Sequence, residues 1–120
     1  MRHRMQFGSF DCEVMVEKYC GGGTALELAA WDDHETPSGD QVYKGEPIAT
    51  ATVRIPCCGL ESDEVLIKDY SENEGMLNAL IQAGYVTPTG RLVESGFVRL
   101  PVCKLHMPKE ESNVSTVNDN

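Results

Sequence analysis

Hydrophobic and polar residues alternate in the first half of the chain with the period of two that is typical of half-buried β-strands. Residues 11–19 and 24–31 both show this alternation, and the first run places Cys12 and Val14 on one face. Cys20 and three glycines stand between the two runs, and such a glycine-rich break predicts a turn. The two runs are therefore expected to form an antiparallel hairpin.

A third alternating run covers residues 47–55, where Ala49 and Ala51 lie on the face that is predicted to point inward. Small side chains allow a helix to approach a sheet closely, so the helix of the chain is expected to cross this strand. Because consecutive strands usually lie next to each other, the three runs predict a three-stranded meander.

The second half of the chain predicts shorter strands. Residues 64–68 form an apolar run, and residues 97–105 form a longer run that contains Pro101. Because proline has no N–H group to donate to a neighbouring strand, the last run is predicted to be an edge strand or to carry a bulge. Between Val86 and Arg91, the segment Thr-Pro-Thr-Gly is typical of a tight turn.

One segment carries the signals of both ends of a helix, which is predicted at about residues 72–83. Ser71 and Glu74 have the spacing of a capping box, in which each side chain bonds the backbone N–H of the other residue. Apolar residues recur at intervals of three and four along the helix, and Gly84 occupies the position of a left-handed C-terminal residue. A helix this short is marginal alone in water, so its apolar face must pack on the sheet.

These elements predict an α+β fold: an antiparallel sheet, made of the N-terminal meander and short C-terminal strands, with one main helix packed on one face. Residues 11–106 are expected to form a single domain, since 120 residues is a one-domain length. Residues 1–10 are expected to be a flexible lead-in, and the polar residues 107–120 a disordered tail. The polar segment 32–46 is longer than an ordinary hairpin loop, which is typical of functional or mobile loops.

Charge and cysteine content limit the functional classes. The formal net charge is −9, which opposes direct binding to nucleic acid because phosphates must be neutralised by Lys and Arg. The first ten residues lack the apolar run of a secretion signal, and no segment approaches the roughly 18 apolar residues of a membrane helix. Five cysteines, an odd number, indicate reduced thiols in a chain without such a signal. The protein is therefore expected to be cytoplasmic, with no membrane contact.

Acidic residues are concentrated around the predicted start of the helix. Residues 61–74 contain six acids against one base, Lys68, so the segment carries a charge of −5. Carboxylates that project together attract basic surfaces on other proteins. The candidate interaction residues are Glu61, Asp63, Glu64, Asp69, Glu72 and Glu74.

Metal or catalytic chemistry has weaker support in the sequence. Cys57 and Cys58 are adjacent and so lack the spacing of a zinc knuckle, and Cys103 and His106 fall on opposite faces of a strand. His34 has acidic neighbours that could orient it, but an exposed loop histidine is the simpler interpretation. No catalytic residue, metal ligand or cofactor-binding residue is predicted, and the protein is not expected to be an enzyme.

Several stretches carry a resemblance to a known family. They include Glu-Pro-Ile-Ala-Thr-Ala-Thr-Val from residue 46, Lys-Asp-Tyr-Ser-Glu-Asn-Glu-Gly-Met-Leu from residue 68 and Ser-Gly-Phe-Val-Arg-Leu-Pro-Val-Cys-Lys-Leu from residue 95. Residues 46–105 thereby resemble small bacterial proteins of unknown function that are encoded on conjugative and other mobile elements of gut bacteria. The pair Cys57-Cys58 departs from the family, where a polar turn is expected. The resemblance implies a cytoplasmic accessory protein of mobile DNA, and it implies no catalytic residues.

Three functions stay open at this stage. The leading hypothesis is a non-enzymatic interaction module that binds an unknown protein through the acidic residues or through an edge strand. The first alternative is an acidic DNA mimic that inhibits a basic nucleic-acid enzyme, such as a host restriction or CRISPR nuclease. The second alternative is a small metal- or thiol-dependent enzyme. The edge predicted at residues 97–105 also permits a homodimer through strand pairing.

Overall fold

The computed structural model describes residues 2–56 and 58–106, so Cys57 and the predicted disordered tail, residues 107–120, lie outside it. Within the described residues, antiparallel strands predominate and one short helix packs against them, so the fold is α+β as the sequence predicts. The helical elements are a 3-10 turn, Ser71–Asn73, and the helix α1, Met76–Gln82. The strands are β1 His3–Phe7, β2 Phe10–Lys18, β3 Thr24–Ala30, β4 His34–Glu35, β5 Gln41–Val42, β6 Pro47–Thr50, β7 Thr52–Val53, β8 Glu64–Ile67, β9 Val86–Ser95 and β10 Val98–Leu105.

The first sheet has the strand order β1-β2-β3-β6. β2 and β3 pair antiparallel, with Val14 opposite Leu28, and the three glycines of the turn that joins them all have positive φ. β6 pairs with the other side of β3, also antiparallel. The predicted hairpin and the predicted three-stranded meander are therefore confirmed.

The N-terminal residues do not form the flexible lead-in predicted for residues 1–10. β1 pairs with β2 along its whole length, from His3 opposite Val14 to Phe7 opposite Phe10. Met5 and Phe7 alternate with Arg4 and Gln6, and the burial of β1 follows the same period of two. The prediction was wrong because this alternation is short and the residues before it are charged, so it was not recognised as a strand.

The strand predicted at residues 47–55 is divided by a bend at Ala51, which joins two sheets. The Ala51 N–H donates to the Leu26 carbonyl of the first sheet at 2.8 Å, whereas the Ala51 carbonyl accepts the Lys68 N–H at 2.9 Å, directly after β8. Ala51 is completely buried at this junction. The residues before the bend therefore belong to the first sheet and those after it to the second.

The second sheet has the strand order β7-β8-β10-β9. β10 lies between β8 and β9, so the edge position predicted for residues 97–105 is wrong. The register of β9 and β10 shifts between Pro101 and Cys103, which confirms the other prediction for this strand, a bulge. β9 is one of the two outer strands of this sheet, and β7 is the other.

The predicted Thr-Pro-Thr-Gly turn is also wrong, because Val86–Ser95 forms one continuous strand. Three residues separate Pro88 from Leu92 on β9, whereas one residue separates their partners on β10. Gly90 lies in this extra length with a φ of +90°, a conformation that glycine adopts without steric cost. The turn-forming residues thus mark a bulge within a strand rather than its end.

The helix begins later than predicted, at Met76 rather than near residue 72. Residues Ser71–Asn73 form the 3-10 turn, and Ser71 has a φ of +59°. An N-cap residue needs extended backbone, and neither helical element has a side-chain hydrogen bond at its N-cap. The predicted capping box of Ser71 and Glu74 is therefore not formed.

Other contacts stabilise both ends of α1. At the N-terminus, Asp69 Oδ1 accepts the N–H of Leu77 at 2.9 Å. At the C-terminus, Gly84 has a φ of +84°, and the N–H groups of Gly84 and Tyr85 donate to carbonyls of the last helical turn at 3.0 Å. This pair of bonds is a Schellman motif, which satisfies carbonyls that the helix itself leaves free.

The helix packs mainly against β1 and β9, which are an outer strand of the first sheet and an outer strand of the second. Met76 and Leu80 are completely buried in the core, and the Tyr85 hydroxyl, just after the helix, donates to the Arg4 carbonyl at 3.0 Å. The predicted crossing over residues 47–55 is wrong for α1, whose main contacts are with β1 and β9. The contact to that strand comes from before the helix, where the Asn73 side-chain amide donates to the Thr50 carbonyl at 2.7 Å.

The segment 32–46 contains the two short strands β4 and β5, which pair with His34 opposite Val42. Asp33 Oδ1 also accepts the backbone N–H of Lys44 at 2.8 Å. The polar side chains that suggested an irregular loop thus hold its own backbone together.

Candidate functional site

The structure divides the six candidate acidic residues into two groups at opposite ends of β8. Glu61, Asp63 and Glu64 precede or begin the strand, and Asp69, Glu72 and Glu74 follow it. A strand rises about 3.3 Å per residue, so the four residues of β8 separate the two groups by roughly 13 Å. The backbone therefore does not bring the six carboxylates together at one point.

Basic side chains pair with two residues of the first group. Glu64 is only 8% exposed, and its carboxylate lies 3.2 Å from Arg91 Nη1. The same carboxylate accepts the backbone N–H of Glu61 at 3.0 Å. Asp63 lies 3.2 Å from Lys104 Nζ. Of this group, Glu61 alone keeps an exposed carboxylate without an ion pair in the described part of the chain.

The second group is also largely engaged. Asp69 caps α1, and Glu72 forms an ion pair with Lys68. The hydrogen bond from Lys68 lowers the pKa of Glu72 to about 2. Residues 61–74 carry six acids and one base, Lys68, which gives a charge of −5. Arg91 and Lys104 pair with acids of this segment, and counting them gives −3. The negative field of the segment is therefore weaker than the sequence alone indicates.

A different surface is formed by the hairpin of β9 and β10. The turn between the two strands exposes Phe97 completely, and Leu92 on β9 is 56% exposed. Val93 and Val98 are half-buried on the same hairpin. β9 pairs with β10 on one side, and no described strand pairs with its other side. We call this surface, Val86–Ser95 together with Phe97, the β9 edge.

The sequence predictions missed the β9 edge because they placed a tight turn at Thr-Pro-Thr-Gly, where β9 continues, and placed the edge at residues 97–105. A usable signal is nevertheless present in the sequence. Leu92-Val93 and Phe97-Val98 are adjacent apolar pairs on either side of a polar turn. Because successive residues of a strand point to opposite faces, each pair places one apolar side chain on the face away from the core.

The structure also contains a half-open cleft of about 440 Å³ between the glycine turn of the first hairpin and the loop that precedes β8. Arg54 crosses to the glycine turn here, where its Nε donates to the Gly22 carbonyl at 3.0 Å and its Nη2 to the Gly21 carbonyl at 3.4 Å. Lys18 and Arg54 are the basic residues of its lining. The apolar residues of the lining include Val53, Ile55, Leu60 and Leu66.

Among residues 2–56 and 58–106, no group of three or more His, Cys, Asp or Glu side chains is placed to hold a metal ion. Cys12 and Cys103 are buried, and burial raises the pKa of each thiol to about 11. Such thiols are protonated at neutral pH and are poor nucleophiles. His106, the spacing partner of Cys103, instead places Nε2 2.8 Å from Thr87 Oγ1.

His34 does not use its acidic neighbours for orientation. Its Nδ1 lies 3.0 Å from the backbone carbonyl of Asp32, and its ring packs edge-on against Phe10 with 6.3 Å between ring centroids. Within the described chain, no hydrogen bond joins the His34 ring to a thiol or a hydroxyl. These are the contacts of a half-buried side chain on β4, and its Nε2 is buried with no hydrogen-bond partner among the described residues.

Comparisons with protein families, with curated proteins and with solved structures found no match to this chain. No helix in the described part of the chain is long and apolar enough to cross a membrane. The resemblance of residues 46–105 to proteins of mobile elements gains no support from these comparisons and stays a prediction.

Proposed function

We propose that this protein is a non-enzymatic interaction module that binds an extended segment of another protein along the β9 edge. The observation that carries the proposal is the complete exposure of Phe97 beside a strand whose outer side is unpaired. The free N–H and C=O groups of an edge strand can pair with an added strand, and neighbouring apolar side chains give such pairing its affinity.

Burial of the apolar side chains of the β9 edge would contribute substantially to the free energy of binding. Phe97 is fully exposed and Leu92 is 56% exposed, so a partner that covers both removes most of two large side chains from water. Their burial contributes about 3 kcal/mol, or roughly a hundredfold in affinity. Backbone hydrogen bonds to β9 would then select a partner in extended conformation.

The acidic residues support binding less well. Glu64 is buried against Arg91, and Asp69 is engaged with the helix N-terminus. A DNA mimic needs carboxylates that are free to meet a basic groove, and here Glu61 and Glu74 are the exposed members without an ion pair among the described residues. Inhibition of a nuclease by mimicry is therefore the alternative that the experiment must separate from edge binding.

A cytoplasmic location is part of the proposal. Cys12, Cys20, Cys58 and Cys103 are all free thiols. Unpaired cysteines are typical of proteins in a reducing compartment. The assignment to a mobile element rests on the sequence resemblance alone.

The test is affinity capture from a lysate of the native host, with wild-type protein and three variants run in parallel. Phe97→Ser and Leu92→Ser remove the apolar side chains of the β9 edge. Val16→Ser is the matched control, because Val16 is 46% exposed on β2, an inner strand of the other sheet. We expect one partner that resists a high-salt wash, is lost from both edge variants and is kept by Val16→Ser.

Three outcomes would overturn the proposal. A partner that Phe97→Ser and Leu92→Ser retain does not use the β9 edge. A partner released by moderate salt, and lost when Glu61 and Glu74 are changed to Gln, would establish the acidic surface instead. A homodimer in light scattering that Phe97→Ser dissociates would assign the edge to a second copy of this chain.

A further inference from the structure

We propose that the cleft beside the glycine turn binds a small organic carboxylate with an apolar body. The proposal does not use Leu92 or Phe97 of the β9 edge, since the cleft lies between the β2–β3 turn and the loop before β8. Its support comes from the charge, the donor geometry and the apolar lining of the cleft.

Most basic side chains of the described residues are paired with carboxylates. Of the ten Lys and Arg residues, nine lie in the described residues, and six of these nine pair with a carboxylate. The three basic residues that have no carboxylate partner among the described residues are Lys18, Lys44 and Arg54. Two of them, Lys18 and Arg54, line this cleft. The lining also contains Glu61 and Glu64, and Glu64 pairs with Arg91, so three bases against two acids leave a local charge of +1 in a chain of net charge −9.

Arg54 is already oriented for an anion. A guanidinium has five N–H donors, and the turn carbonyls of Gly21 and Gly22 use two of them at 3.4 and 3.0 Å. The three remaining donors include both on Nη1, which the bonds to the turn hold in a fixed direction. A carboxylate that accepts from Nη1 and Nη2 would gain two parallel hydrogen bonds with little further loss of side-chain entropy.

The rest of the lining favours an apolar body. Val53, Ile55 and Leu60 are half-buried side chains of the cleft. The Tyr19 hydroxyl lies 2.9 Å from Thr52 Oγ1, so this residue already has a polar partner inside the protein. The volume of about 440 Å³ lies within the range of small-molecule sites, about 300–1,000 Å³.

The acidic residues of the cleft limit the charge of the ligand. Glu64 is compensated by Arg91, but Glu61 is exposed in the lining without an ion pair in the described chain. A doubly charged phosphate would meet more repulsion from Glu61 than a carboxylate of single charge. The carboxylate class is therefore the better match.

The test is an NMR titration of the ¹⁵N-labelled full chain with hexanoate, and with hexanamide as the uncharged analogue. We expect saturable shifts at the amides of Gly21–Gly23 and of residues 58–62, with hexanamide binding at least about fivefold more weakly. Lys18→Gln should weaken hexanoate binding by about threefold or more, whereas Lys44→Gln should leave it unchanged, since Lys44 lies outside the cleft. Arg54→Lys keeps the charge but loses the forked donor, so it should also weaken binding.

The Arg54→Lys protein must first be compared with wild type in the absence of hexanoate, because Arg54 also donates hydrogen bonds to the glycine turn. Unchanged amide signals of the three glycines would show that the turn is intact. If these signals are altered, the comparison of Lys18→Gln with wild type decides the test. Absence of saturation, equal binding of hexanamide, or equal loss in Lys18→Gln and Lys44→Gln would each overturn the proposal. Shifts confined to residues outside the cleft would overturn it as well.

Discussion

Replacing Asp69 by alanine should destabilise the protein more than replacing either residue of the predicted capping box. Asp69 Oδ1 accepts the Leu77 N–H at 2.9 Å, and alanine leaves that half-buried N–H without its acceptor. Loss of a side-chain cap costs about 0.5–2 kcal/mol, typically about 1 kcal/mol. In a domain of this size, about 1 kcal/mol lowers Tm by roughly 5 °C.

The matched controls are Ser71→Ala and Glu74→Gln. Neither native side chain caps a helix in the structure, and both residues are exposed. Substitutions of this kind usually change the free energy of unfolding by less than about 0.5 kcal/mol. The sequence pattern predicts the opposite ranking, because a capping box would make Ser71 the residue that stabilises the helix start.

Urea denaturation followed by circular dichroism measures the free energy of unfolding of all three variants. Hydrogen exchange measures the local stability at the Leu77 amide. The exchange rate should increase in Asp69→Ala and stay unchanged in Ser71→Ala. If Ser71→Ala cost as much as Asp69→Ala, the capping assignment would be refuted. The helix would then begin near residue 72 rather than at Met76.

Further expectations concern backbone strain, pH and thiol reactivity. Gly84→Ala should cost about 1–2 kcal/mol in urea denaturation, since a Cβ there meets no atom within 4 Å and the cost is the strain of a φ of +84°; no loss of stability would contradict this. The pKa of Glu72, about 2 against an ordinary 4.5, means that its ion pair stabilises the fold above pH 4.5 and that this contribution is lost as the pH falls from 4.5 to 2. An NMR titration of the carboxyl should show this pKa in wild type and a pKa closer to 4.5 in Lys68→Gln. Iodoacetamide should alkylate the exposed Cys20 in the native protein and the buried Cys12 only after unfolding, and mass spectrometry that found equal rates would disprove it.

Local patterns sufficed for the elements whose geometry depends on neighbours in the sequence. The alternation in residues 11–19 and 24–31 predicted the first hairpin, because burial of every second side chain follows directly from the pleat of a strand. Gly84 marked the end of the helix because its left-handed backbone bonds within the last helical turn. Pro101 indicated a bulge because proline lacks a donor wherever it stands.

The tertiary structure decided every feature that depends on a distant partner. Met5 is buried because β1 pairs with β2, and the short alternation of Met5 and Phe7 with Arg4 and Gln6 does not identify that partner strand. Glu64 lies against Arg91, which is 27 residues away in the sequence. The sequence therefore predicted a free carboxylate at Glu64, whereas the fold pairs it with a base. The sequence determined the first hairpin, the end of the helix and the α+β class. Only the order of the strands, which brings distant residues together, decided which charges are paired across the fold and which strand edge stays open.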